Sequence, residues 1–202
     1  MNDVLKTILF VIVWILLIAD RCFSDDCLDR PEYLGPDRAA EVADVMFDLL
    51  SAAPRRRLAV DYVLRREFAE DIVTAADEFD VPEFLLTTQI FHESSFRTNV
   101  IATDRPTVGL GQIHIDGIAS KGCDLSTRLG QLRCTSRFLR YCFDHCGGHS
   151  WKRALIAYAT PGHCESSVEK VQKSARRRVR IWSMYEEQRT RIREEVIFDR
   201  GL

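Results

Sequence analysis

The 202-residue chain carries no internal repeat and no low-complexity tract, which sets aside repeat and fibrous architectures. No stretch longer than a few residues alternates apolar with polar side chains, so a sheet-built fold is excluded. Thr107 to Ile115 is the best candidate for a short hairpin or loop. Neither sign of charge is in excess: 28 Lys+Arg face 30 Asp+Glu, a formal net charge of -2. That balance gives no electrostatic reason to invoke nucleic acid as a partner. The longest apolar run, Ile8 to Ala19, is twelve residues, short of the ~20 that cross a bilayer as a helix. No Cys-x-x-Cys pair occurs, which removes a common zinc-ligand spacing.

Lys6 precedes the apolar run, Asp20 and Arg21 end it, and Cys22-Phe23-Ser24 sets small side chains three and one positions before Asp25. Residues 1–24 therefore read as a signal peptide. The rival is an uncleaved anchor, with Val4 and Leu5 extending it, that associates with a membrane. Either reading exports the chain to the periplasm or the cell exterior. Removing Cys22 leaves six of seven cysteines, namely Cys27, Cys123, Cys134, Cys142, Cys146 and Cys164. An even set in an exported protein reads as a disulfide framework, and the sequence does not choose among the fifteen pairings that six cysteines permit. Cys142, Cys146, His149 and Cys164, with His145 and His163, are the alternative as zinc ligands. Their spacing matches no zinc motif, so no metal is assigned.

Residues 25–58 form a lead-in whose later half, Asp37 to Leu50, places Ala40, Val42, Val45, Met46, Leu49 and Leu50 at helical spacing. A second helix is predicted from about Ala59 to Glu78, with Val63, Phe68, Ile72 and Ala75 inward. Asp80-Val81-Pro82-Glu83 reads as a helix start in which Asp80 caps and Glu83 completes a capping box. Helical periodicity returns from Leu125 to Cys146 and from Trp151 to Ala159. Residues 167–202 carry a stripe of Val168, Val171, Ala175, Val179, Trp182, Tyr185, Ile192 and Val196. This predicts a long terminal helix with Arg176, Arg177, Arg178 and Arg180 on its wet face. A sharper alternative makes those arginines a patch that grips an anionic wall polymer or lipid surface. The expectation is a mostly α-helical domain, disulfide-stapled, with a long C-terminal helix.

Three motifs carry chemistry. Glu93 ends an apolar helical run and is followed by Ser94-Ser95-Phe96. Gly109-Leu110-Gly111-Gln112 comes next, and Ala154-Leu155-Ile156-Ala157-Tyr158 lies further on. A helix C-terminus disfavours a carboxylate, and Ile90, Phe91 and Phe96 offer an apolar wall, so Glu93 suits a carboxyl group that must hold a proton for delivery to a leaving oxygen. Glycines let backbone approach a bulky ligand, and Gln112 offers both donor and acceptor. Asp104 and Asp116 are the nearest downstream acids, but neither falls in a motif.

In this order and spacing, over about residues 66 to 166, the chain resembles the lytic transglycosylases, lysozyme-like enzymes that cut bacterial peptidoglycan. Glu93-Ser94-Ser95-Phe96 matches the family's Glu-Ser-x-Phe, Gly109 to Gln112 its Gly-Leu-x-Gln, and Ala154 to Tyr158 its Ala-Leu-x-Ala-Tyr. The resemblance implies a lysozyme-like domain at residues 59–166 acting on the β-1,4 bond between N-acetylmuramic acid and N-acetylglucosamine. Glu93 would serve as acid and then base while the muramyl 6-hydroxyl closes on its own anomeric carbon to leave 1,6-anhydro ends. Ser94, Gly109, Leu110, Gln112 and Tyr158 would shape the glycan site, with no cofactor needed. Wall remodelling, a secretion or conjugation apparatus and a phage all employ such domains. Two alternatives stay open: a muramidase using water with Asp104 as base, and a wall-binding or structural protein without turnover. The family continues Tyr-Asn-Ala-Gly, whereas this chain reads Tyr158-Ala159-Thr160-Pro161-Gly162, so the asparagine that helps order the cleft is missing.

Overall fold

A computed structural model describes residues 37–53, 62–102, 106–146, 150–160 and 163–199. The expected leader, Cys27, Asp104, His149 and the Pro161-Gly162 turn lie outside the described residues. Six α-helices are present among those described: α1 Arg38–Ser51, α2 Tyr62–Glu78, α3 Glu83–Ser94, α4 Arg128–His145, α5 Trp151–Ala159 and α6 Glu169–Asp199. Two two-residue strands, β1 Thr107–Val108 and β2 Ile113–His114, pair antiparallel with Thr107 opposite His114. The chain is thus mostly α-helical, as its periodicity predicts.

α1 starts where Asp37 accepts a hydrogen bond from the Ala40 N–H at 3.1 Å, and it buries Val42, Val45, Met46, Leu49 and Leu50 against α2 and α3. α2 presents Phe68, Ala69, Ile72, Ala75 and Ala76 to the same core. The capping box expected at Asp80 and Glu83 does not form. Asp80 instead terminates α2 in the left-handed region at φ 50°. Its N–H donates to Asp77 O at 3.3 Å and the Val81 N–H to Ala76 O at 2.9 Å, the two bonds of a Schellman stop. No side chain caps α3, whose first residue Glu83 is buried and bonded to Arg38 at 3.0 Å and to Arg189. Two guanidinium groups and its own backbone N–H hold that carboxylate.

α3 is the central element, with every residue from Glu83 to Ile90 buried. A helix buried on all sides belongs inside a bundle, and α1, α2 and α6 surround this one. Its buried Thr87 and Thr88 hydroxyls are satisfied by the carbonyls of Glu83 and Phe84 at 2.7 and 2.8 Å.

Two disulfides tie the second half together. Cys123–Cys134 fixes the loop ahead of α4 to that helix, and Cys146–Cys164 joins the end of α4 to the segment before α6. Cys142 is buried as a free thiol, so it is not a member of the expected framework. Because Cys146 and Cys164 are bonded to each other, neither is a thiolate for the alternative metal site. Two bridges suggest an oxidising compartment. Among the described residues no helix is long and apolar enough to cross a membrane.

α6 lies along α3 and α5 with Val171, Ala175, Arg178, Trp182, Tyr185 and Arg189 facing inward. Their alternating steps of four and three residues are the seam of two helices packed lengthwise. The predicted stripe is therefore out of phase in places. Arg178 is 2 % exposed and fully part of the core side, whereas Arg176, Arg177 and Arg180 are on the wet face. Val168 and Ile192 are exposed. Arg189 anchors the helix by pairing with Glu41 at 2.8 Å and with Glu83, its guanidinium 4.0 Å above the Phe84 ring.

Candidate functional site

The three motifs meet where α3 and α5 end. α3 stops because Ser95 turns left-handed at φ 55° and Phe96 follows at φ 62°. Phe96 folds back into the core, edge-on to Phe68 at 5.8 Å. The Glu93 side chain is left at the helix rim, 21 % accessible.

The Gly109–Gln112 loop is held from α4 and α5. Gly109 adopts φ 74° and faces the Gln131 side chain so closely that an added Cβ would stand 2.5 Å from Oε1. That amide also takes the Leu110 N–H at 2.9 Å and donates to Thr98 O and Leu125 O. Gly111 lies against α4 and α5, where a Cβ would sit 2.7 Å from the Tyr158 hydroxyl. Tyr158 donates to Gly111 O at 2.6 Å. Burial, then the nearby charge of Glu93, pushes the Tyr158 hydroxyl well above its ordinary value, so it stays a neutral donor. Tyr158 is therefore bonded to the loop and lies within reach of the Glu93 charge.

The remaining expected residues are spent on the scaffold. Ser94 is 2 % exposed and its hydroxyl donates to Ile90 O at 3.2 Å. Leu110 is fully buried. Gln112, at φ 50°, accepts from the Thr107 hydroxyl at 3.0 Å and donates to Gly109 O at 2.9 Å and Val100 O at 3.2 Å. Its amide ties the loop to itself and to β1. Ile113 anchors the loop in the core, whereas Ile115 points outward, 48 % exposed.

Sequence reasoning missed the carboxylate's closest partners. Glu93 Oε1 accepts from Gln89 Nε2 at 3.0 Å and from Arg178 Nη1 at 3.2 Å, with His92 Nδ1 at 3.8 Å. Arg178 also donates to Gln89 Oε1, and His92 Nε2 bonds the Ser174 hydroxyl of α6 at 2.9 Å. Part of the apolar wall expected around Glu93 is thus a buried guanidinium. Burial lowers the Arg178 value, while Glu93 opposes that. The signals were there: Gln89 is one helical turn before Glu93, and Arg178 continues the four-three spacing of Ala175, Trp182 and Tyr185.

A cavity of about 550 Å³ opens at the other end of α3, lined by Arg38, Asp80, Pro82, Glu83, Phe143 and Trp151 among others, but not by Glu93. Its charges are already paired, Arg38 with Asp77 and Glu83, Arg140 with Asp80. No family model, no curated protein and no solved structure matches this chain. Function rests on the chemistry of the residues themselves.

Proposed function

We propose that the protein is an exported, lysozyme-like enzyme that cleaves the glycan strand of peptidoglycan, with Glu93 as acid and then base. One observation carries the reading. Residues 93, 109–112 and 158, far apart in sequence, converge through the Tyr158 bond to Gly111 O and the proximity of Tyr158 to Glu93. In the first half-reaction Glu93 gives its proton to the glycosidic oxygen as the bond to the muramyl anomeric carbon breaks. In the second, the carboxylate takes the proton of the muramyl 6-hydroxyl while that oxygen bonds the same carbon, so no water is consumed. Gly109 and Gly111 keep the loop backbone near the sugar, Leu110 pins it to the core, and Gln112 and Ser94 hold its shape and the helix end. No cofactor takes part. Export through residues 1–24 brings the protein to the wall, with the apparatus it serves open among remodelling, secretion or conjugation, and phage.

A wall-binding protein without turnover is favoured by two features: the Gln112 amide and the Ser94 hydroxyl are committed to the fold, and Ala159 stands where the lytic transglycosylases carry asparagine. Mass spectrometry of purified peptidoglycan digested by the oxidised full-length protein separates the readings. Anhydromuramyl ends from wild type and none from Glu93→Gln support the transglycosylase. Reducing ends make it a muramidase, and wall binding with no products makes it a binding protein.

A further inference from the structure

The C-terminal helix places the most deeply buried cation of the described residues directly on the proposed catalytic carboxylate. Arg178 Nη1, Gln89 and Glu93 close a three-membered ring: Nη1 donates to Gln89 Oε1 and to Glu93 Oε1, and Gln89 Nε2 donates to that same Oε1. Gln89 is 0 % and Arg178 2 % exposed, so neither is a surface contact that water replaces at small cost. Arg178 Nε is buried and makes no hydrogen bond. Leaving a buried guanidinium N–H unmet costs free energy, and a core position filled by Arg where Leu would pack is costlier still. The fold tolerates both to bring this group to Glu93.

All these contacts fall on Oε1, none on Oε2. Resting on the reading of Glu93 as acid and base, we propose that Arg178 is a positioning residue that, with Gln89, clamps Oε1 so that Oε2 alone exchanges the proton. The two half-reactions then use one oxygen. Oε2–H protonates the leaving glycosidic oxygen while Oε1 keeps both donors. The ionised group is next stabilised by the guanidinium beside it, and Oε2 takes the 6-hydroxyl proton as the new bond closes. Among the described residues, the charged or titratable groups near Glu93 are His92 on its own helix, Tyr158 on α5 and Arg178 on α6. Tyr158 stays neutral and His92 is 3.8 Å away, half in solvent. Arg178 is the fixed counter-charge.

The test compares the full-length wild type with Arg178→Met and Arg178→Lys, each first shown to unfold cooperatively. Loss of the clamp in Arg178→Met lowers kcat about 100-fold with KM for a glycan fragment little changed, the scale of a misplaced catalytic group. The alkaline limb of its pH–kcat profile moves up by about one unit, because an opposite charge near a carboxyl has been removed. Arg178→Lys restores the limb but not the full rate, since one ammonium cannot reproduce the donor geometry. An unmoved limb in Arg178→Met, or a loss confined to KM, overturns the proposal. The same proteins labelled with 13C at the glutamate carboxyls give a readout independent of turnover. If wild type releases no product, the enzymatic reading fails. In that case an identical Glu93 titration in wild type and Arg178→Met sinks the clamp as well, and a displaced one retains it as a property of the site.

Discussion

Removing the hydroxyl of Tyr158 leaves the Gly111 carbonyl buried without its partner at 2.6 Å. Tyr158→Phe is expected to lose about 1–3 kcal/mol of stability, read as a lower urea midpoint at unchanged slope, together with activity lost through a loosened loop. Gly111→Ala is expected to do more, because its methyl would meet both the Tyr158 hydroxyl at 2.7 Å and Thr135 Cβ at 2.9 Å. Overpacking of this kind costs about 1–3 kcal/mol. The same urea titration checks it, and a Gly111→Ala protein as stable as wild type would contradict the packing described. Cys142 is the quietest of the reactive side chains. Burial pushes its thiol up to about 12, so peptide mapping should find it unalkylated in the native protein and labelled after unfolding.

At the scale of elements, the ion pairs of Arg189 decide how α6 docks. Arg189→Ala strips Glu83 of one of its two guanidinium partners and Glu41 of another. Breaking so buried a pair costs about 3 kcal/mol, and hydrogen exchange should speed up first along α6. The helices themselves were legible in the sequence, since α1, α2 and α5 follow from apolar residues at 3.6-residue spacing, and Trp151 to Ala159 is read with both ends in place. What periodicity cannot convey is a polar residue's partner. Arg178 sits within a run of three arginines and reads as solvated, but the seam reaches it and Glu93 awaits it. Glu83 reads as a capping residue, yet Arg38 and Arg189 lie forty-five and a hundred and six positions away, and only the fold brings them near. Ile115 looks like a core anchor by hydropathy, and the tight turn after β2 sends it outward. The site shows the same division. Glu93, Gly109, Leu110, Gln112 and Tyr158 carry their own pattern, whereas Gln89 and Arg178 carry only a spacing signal and Gln131 is recognisable only by what it touches.

For the whole molecule, acid and reductant are the informative stresses. Burial pushes the Glu83 carboxyl up, but hydrogen bonds and charge from Arg38 and Arg189 outweigh it and hold the group below its ordinary value. A carboxyl depressed in the folded state contributes stability that is present above its unfolded value of about 4.3 and is lost as pH falls through the folded one. Melting temperature is therefore expected to drop below about pH 4.3, less steeply in Glu83→Gln than in wild type. Reducing Cys123–Cys134 and Cys146–Cys164 should cost about 2–4 kcal/mol each, visible as a lower urea midpoint. The burial of Arg178 against Glu93 also bears on when this cluster is completed during synthesis. Among the described residues, the other hydrogen-bond partners of the carboxylate and its loop come from residues up to 158, but the guanidinium arrives with α6, which starts at Glu169. A nascent chain that has emerged only as far as α5 holds its glutamate without the arginine. The carboxylate's hydrogen-bond partners are therefore complete only once the last helix has been made and docked.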